Sequence, residues 1–180
     1  AYAYSALAFQ LAYFKTHYPA IFYQIMLNSA NSDYVTDALE AGFEVAPLSI
    51  NTIPYHDKIA NKSIYLGLKS IKGVSNDLAL WIIKNRPYSN IEDFIAKVPE
   101  NYLKLPLLEP LVKVGLFDSF EKNRQKVFNN LANLFEFVKE LGSLFGDTIY
   151  SWQESEDWTE QEKFYMEQEL LGVGVSKHPL

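Results

Sequence analysis

Cysteine is absent from the 180 residues, and histidine and methionine are scarce, with three and two copies. Without thiols there is no disulfide framework and no thiolate-held zinc or iron–sulfur centre. His17, His56 and His178 stand far apart in the chain, which argues against an all-histidine metal cage. A long uncharged apolar run is missing too: the most hydrophobic stretch, Ala1 to Leu27, is broken by Gln10, Lys15, His17, Pro19 and Gln24, so no membrane span is expected. The N-terminus has neither a basic leader nor a small-residue cleavage site, and a chain that opens inside a helical pattern without Met reads as a piece of something longer. Motifs for catalysis are also lacking. There is no Asp-x-Asp pair, Gly-rich phosphate loop, His-Glu-x-x-His or Gly-x-Ser-x-Gly, and Glu156-Asp157 lies in an acidic tract that solvates rather than binds metal. No catalytic residue and no cofactor is therefore assigned to this chain.

Positive charge is in deficit as well, 16 Lys and Arg against 22 Asp and Glu for a net −6, which would ordinarily argue against nucleic acid as a partner. Its distribution reverses that inference. Residues 56–126 carry +4, whereas 1–55 carry −3 and 127–169 carry −8, so a basic central module adjoins an acidic tail that is expected to be poorly packed.

What the chain does have is 48 % hydrophobic residues, 15 % of the total being aromatic, enough for one ordinary domain or two small ones. Tyr4, Leu7, Ala8, Leu11, Phe14 and Tyr18 recur at helical spacing and predict an amphipathic helix, and Pro19 opens a second. Ser32 to Ala41 reads as a third, capped by Ser32 and ended by Gly42. The period shifts toward two from Phe43 to Leu66, giving a small β element with Phe43–Val45 and Ser63–Leu66 as strand-prone runs and Asn61 at a turn. Short helices are expected over Gly67–Ile71, Asp77–Asn85, Ile91–Val98 and Leu107–Val114, then a longer one over Glu121–Leu141. Thr159 to Glu162 forms a capping box for a last helix ending at Gly172.

Leu68 to Ala79 carries the most informative local pattern. A short apolar helix, the turn Gly73-Val74-Ser75 and a second helix opening on Asn76 and Asp77 make a helix-hairpin-helix. The N–H groups at the start of that second helix, with the positive end of its dipole, suit a phosphate oxygen. Lys69, Lys72, Gly73, Val74 and Ser75 are the candidate phosphate-binding residues, with Ser75 standing where the usual pattern has a second glycine. Leu111 to Ser119 reads as a degenerate second copy about 40 residues on, adding Lys113, Gly115 and, on the next helix, Arg124. Paired hairpins can hold phosphates on both strands of a duplex without reading bases. The alternative is an architectural role, with the hairpins packed on other protein and their lysines merely solvated. Leu144 and Phe145, where the long helix gives way to the acidic stretch, could anchor in a partner's apolar pocket or fold back on the chain itself.

Five stretches in order resemble the bacterial replicative polymerase family of DNA polymerase III alpha subunits: Ala3 to Phe22, Pro47 to Asn51, Leu66 to Val74, Leu111 to Ser119 with Asn123-Arg124, and Glu169 to Gly172 continuing to His178-Pro179-Leu180. The resemblance implies a mainly α fold with a small β element, a tandem helix-hairpin-helix domain following fingers helices. The implied divisions are the C-terminal fingers helices over 1–42, the DNA-binding hairpin region of the clamp-binding domain over 43–135, and an acidic tether leading to an OB-fold over 136–180. It further implies a cytoplasmic bacterial parent that polymerises DNA with three palm aspartates and magnesium, upstream of Ala1, so that this segment is itself inactive. The implied partners are double-stranded DNA, the sliding clamp and other replisome subunits. Leu144 and Phe145 fall where the family carries its clamp-binding peptide.

Overall fold

In the computed structural model, residues 1–28, 33–141 and 148–176 are described. Eight α-helices lie among them: α1 (Tyr2–His17), α2 (Pro19–Asn28), α3 (Asp33–Glu40), α4 (Asn76–Asn85), α5 (Ile91–Lys97), α6 (Leu105–Lys113), α7 (Arg124–Leu141) and α8 (Glu160–Leu171). The expected Ser32 cap of α3 lies outside the described residues. Between α3 and α4 sits a three-stranded sheet of β1 (Glu44–Val45), β2 (Lys58–Ala60) and β3 (Ser63–Tyr65) in the order β1-β3-β2. β3 pairs parallel to β1 and antiparallel to β2, with Lys58 opposite Tyr65 and Ala60 opposite Ser63. Asn61 and Lys62, both at positive φ (51° and 62°), close the β2–β3 ribbon, the backbone that a two-residue hairpin turn demands.

The core follows the apolar stripes of the short helices. Leu68, Leu78, Ile82, Phe94, Ile95, Leu108, Leu111, Leu116, Val127, Leu131 and Leu134 are all essentially inaccessible, each such side chain stabilising the fold by about 1.5–3 kcal/mol. The sheet joins this core through Ile64 and Leu66, and the preceding loop joins it through Ile50, whose N–H donates to the Leu116 carbonyl at 3.0 Å. Asn51 exchanges two hydrogen bonds with the Tyr88 backbone, at 2.9 and 2.7 Å. Burial pushes the Tyr88 phenol up to about 12, and its hydroxyl donates to the Ile82 carbonyl.

Three expectations need correcting. α1 is not amphipathic: no residue of it is buried, and Tyr2, Tyr4 and Phe9 are among its strongly exposed aromatics, because apolar side chains occupy every face of the helix rather than one stripe. The segment Gly67–Ile71 is a single 3₁₀ turn, Leu68–Ser70, with Gly67 pressed against the Tyr55–His56 backbone so closely that no Cβ would fit. The acidic stretch, over 148–176, is docked rather than a loose tether. Tyr150 and Gln153 bond to buried Asn130 of α7, the Trp152 indole N–H donates to Glu92 at 2.7 Å, and Trp158 packs on Phe128. α8 then closes over α6, opened by the expected Thr159–Glu162 capping box and ended by Gly172 in the left-handed conformation.

Candidate functional site

The first hairpin runs from the 3₁₀ turn at Leu68–Ser70 into α4. Ile71 is buried, anchoring the turn from below, and Gly73 adopts φ +88°, a conformation that costs an L side chain. Ser75 caps α4 by accepting from the Leu78 N–H at 3.3 Å, which leaves its own hydroxyl proton available. The N–H groups of Gly73, Ser75, Asn76 and Asp77 have no acceptor among the described residues. Lys69, Lys72, Gly73 and Ser75 are exposed, Val74 is half-buried, and neither lysine forms an ion pair among the described residues. The Lys72 backbone is nevertheless fixed, its N–H donating to the Leu170 carbonyl at the end of α8 at 2.9 Å. The result is a rigid turn with unpaired donors and free cations on its outer side, suited to an anionic oxygen.

The second hairpin, α6 to α7, has the same glycine and a different fate. Gly115 takes φ +84°, but Val114, Gly115, Leu116 and Phe117 are all buried, and the N–H groups of Val114, Gly115 and Leu116 close back onto carbonyls of α6. Arg124, expected to bind phosphate, is 7 % exposed. Its Nε and Nη2 donate to Asp118 at 2.8–3.1 Å, and its Nη1 donates to the Lys113 carbonyl at 3.1 Å and to Glu167 of α8 at 2.6 Å. Burial works against the guanidinium charge, yet these carboxylates outweigh it and raise the Arg124 pKa; burial also pushes Asp118 up, against the pull of Arg124. Glu167 is fully buried and also accepts from the N–H groups of Val175 and Ser176 and from the Ser176 hydroxyl, each at 2.7 Å.

Arg124 and Gly115 are therefore not positioned as phosphate ligands, because the chain supplies its own carboxylates where a phosphate would sit. Gly115 is glycine so that the guanidinium can lie over it, where a Cβ would collide. Lys113 is half-buried with its ammonium 5.5 Å from the Phe128 ring centre, and Lys126 is paired with Glu121 and Glu154. Leu144 and Phe145 lie outside the described residues. No group of three or more His, Asp or Glu able to hold a metal ion occurs among the described residues, and none of the described helices is long and apolar enough to cross a membrane.

Sequence reasoning missed the residues that hold these turns. Asp57 accepts from the Gly67 N–H and the Ser70 hydroxyl at 2.7 and 2.6 Å, and the Tyr55 hydroxyl donates to Asn76 at 3.0 Å. Asp118 was visible inside the second motif, but Glu167, 43 positions beyond Arg124, carries no local signal.

Residues 42–127, which include both hairpins and the sheet, match the family model described as a helix-hairpin-helix motif. The chain is 59 % identical over all 180 residues to the DNA polymerase III subunit alpha of Streptococcus pyogenes serotype M3, covering 17 % of that protein. It is 35 % identical to the subunit of the same name in Borreliella burgdorferi and 32 % identical to that of Staphylococcus epidermidis, with 99 % of the chain covered and 18 % of each relative. It thus spans about a sixth of the length of these relatives. The ordered motifs, the two hairpins and similarity running the full length of the chain make it a homologue of one segment of bacterial DNA polymerase III alpha subunits, a segment that carries a helix-hairpin-helix motif.

Proposed function

We propose that this segment grips duplex DNA through the phosphate backbone and without base readout, and that the first hairpin makes the contact. The carrying observation is the exposed Gly73–Ser75 turn, with unpaired N–H groups at the start of α4 and the unpaired ammonium groups of Lys69 and Lys72 beside them. Backbone donors at a helix start position a phosphate, and nearby lysines add attraction by releasing condensed counterions. The second hairpin supports the first: Lys113, Gly115 and Arg124 fasten α6, α7 and α8 together, and Lys113 contributes at most a peripheral charge. Titrating a labelled duplex by anisotropy at several salt concentrations tests the reading. Binding that weakens linearly in log–log form, by about 0.9 per phosphate neutralised, supports it. Absence of binding at low salt, or a Lys69→Glu/Lys72→Glu variant that binds like the parent, refutes it.

The whole protein would be the catalytic subunit of a cytoplasmic bacterial replicase, a DNA-directed DNA polymerase using magnesium in a palm outside this segment. Within it, 1–42 would close the fingers, 43–135 would form the hairpin domain, and 136–180 would lead to the OB-fold, with Leu144 and Phe145 as the sliding-clamp contact. A pull-down with the clamp tests the last point: unchanged capture by Leu144→Ala/Phe145→Ala would remove it. The sealed second hairpin favours the architectural reading for that half of the domain, as a packing unit toward other replisome subunits without direct DNA contact.

A further inference from the structure

The first hairpin is locked to a neighbouring segment that no motif marks. The Pro54 and Tyr55 carbonyls accept the N–H groups of Leu68 and Lys69 at 2.9 and 3.1 Å, Oδ1 of Asp57 takes Gly67 and Ser70, and the Tyr55 hydroxyl reaches Asn76 in the first turn of α4. Residues 54–57 and the turn before α4 are thus joined by five hydrogen bonds. The β2–β3 ribbon continues directly from residues 54–57, with Lys58 at its base and Lys62 in its closing turn. At about 3.4 Å per extended residue the two lysines lie on the order of 10 Å apart, far enough to address different phosphates.

An open cleft of about 590 Å³, lined by Gln24, Pro54, Tyr55, His56, Asp57 and Lys58, flanks the ribbon base. Both ends of the Gln24 amide are engaged by β2 and its approach, accepting from the Ile59 N–H and donating to the Asp57 carbonyl. The His56 ring and the Lys58 ammonium, also in the lining, hold no hydrogen bond to the described residues; His56 packs edge-on against Tyr55, and the Lys58 ammonium is 5.3 Å from the Tyr65 ring centre. His56, Lys58 and Lys62 are exposed, and none is in an ion pair. The acids beside them are Asp57, whose Oδ1 is directed to the hairpin, and Glu44, whose N–H donates to the Lys62 carbonyl; neither forms an ion pair with the three cationic side chains among the described residues.

We infer that His56, Lys58 and Lys62 form a second phosphate contact for the duplex backbone, continuing the track that starts at Lys69, Lys72 and the turn of α4. This rests on the DNA-binding reading above and extends it from a turn to a surface. The ribbon and the hairpin present cations along one hydrogen-bonded unit, and a polyanion with regularly spaced charges is the ligand that can engage all of them together.

The test uses the full chain and a labelled duplex, with anisotropy measured across a salt series for the parent, Lys58→Ala/Lys62→Ala and Lys69→Ala/Lys72→Ala, each checked for unchanged thermal unfolding. Loss of the ribbon lysines is expected to weaken low-salt binding by about threefold to tenfold and to flatten the log–log slope by about 1.8, which is 0.9 for each of two phosphates. If the ribbon pair changes neither affinity nor slope while the hairpin pair changes both, the ribbon contact is refuted and the hairpin contact stands. If the parent binds no duplex even at low salt, both fall.

Discussion

At Gly73 and Gly115 the backbone makes nearly the same left-handed turn, φ +88° and +84°, and yet the two hairpins end in opposite surfaces. Around Gly73 the N–H groups of Gly73, Ser75, Asn76 and Asp77 have no acceptor among the described residues, and Lys69 and Lys72 form no ion pair with any of them. Around Gly115 the N–H groups of Val114, Gly115, Leu116 and Asp118 are closed onto carbonyls, and the arginine is held by two carboxylates. Part of the difference comes from the acidic segment. Glu167 and Glu154 arrive from the C-terminal side and pair with Arg124 and Lys126, whereas α8 gives the first hairpin a backbone hydrogen bond, Lys72 to Leu170, and no ion pair among the described residues. A duplicated motif thus has one half open and one half built as a structural joint, and on the proposed reading only the open half is left for an external anion.

This contrast is breakable, most strongly at the buried joint. Glu167→Ala strands part of the Arg124 guanidinium and leaves the Val175 and Ser176 N–H groups unpaired, so it should destabilise the fold by about 3–5 kcal/mol in chemical denaturation. Replacing Arg124 and Glu167 together by Met should recover part of that loss, because the guanidinium and the Glu167 carboxylate are removed as a pair, while Asp118 loses its arginine and the Val175 and Ser176 N–H groups stay unpaired. Next in size is the glycine pair. Gly115→Ala meets both a strained φ and the guanidinium, for about 2–3 kcal/mol, while Gly73→Ala meets the strained φ and only the Pro110 side chain, for about 1 kcal/mol. Equal costs would show that Arg124 does not press on Gly115. The helix caps follow, with Ser75 the smallest. Asn123→Ala removes the acceptor for the Lys126 N–H and the tie to the Ser155 carbonyl, and should cost about 1–2 kcal/mol; Ser75→Ala, which loses one cap bond at an exposed turn, should cost about 1 kcal/mol or less. A thermal-melt series of the two variants orders them.

Much of this architecture was legible from local chemistry. Pro19 opens α2, Gly42 and Gly172 end their segments at positive φ, and Thr159–Glu162 makes both halves of its capping box, because each of these signals is complete within a few residues. The first hairpin was readable for the same reason, since a turn glycine and an N-cap serine are local requirements. Strand β2 escaped because Lys58-Ile59-Ala60 has only one large apolar residue, and its pairing is made with β3 and with the Gln24 side chain. The larger misreading concerned charge. The −8 of residues 127–169 suggested a solvated tether, but Tyr150, Trp152 and Trp158 are spaced along it as anchors onto α5 and α7, and its acids are partly consumed as partners for Arg124, Lys126 and Lys163. Composition counts a carboxylate without saying what it faces. The same limit made Arg124 look like a phosphate ligand, because the Glu167 that claims it sits far along the chain.

The central claim is that duplex DNA is held at the open hairpin and not at the sealed one. Anisotropy of a labelled duplex at low salt, comparing Lys69→Glu/Lys72→Glu with Lys113→Glu in otherwise intact chain, tests it most directly. The account predicts at least a tenfold loss of affinity, about 1.4 kcal/mol, for the first variant and less than a threefold change for the second. A larger loss from Lys113→Glu than from the first-hairpin pair would contradict it.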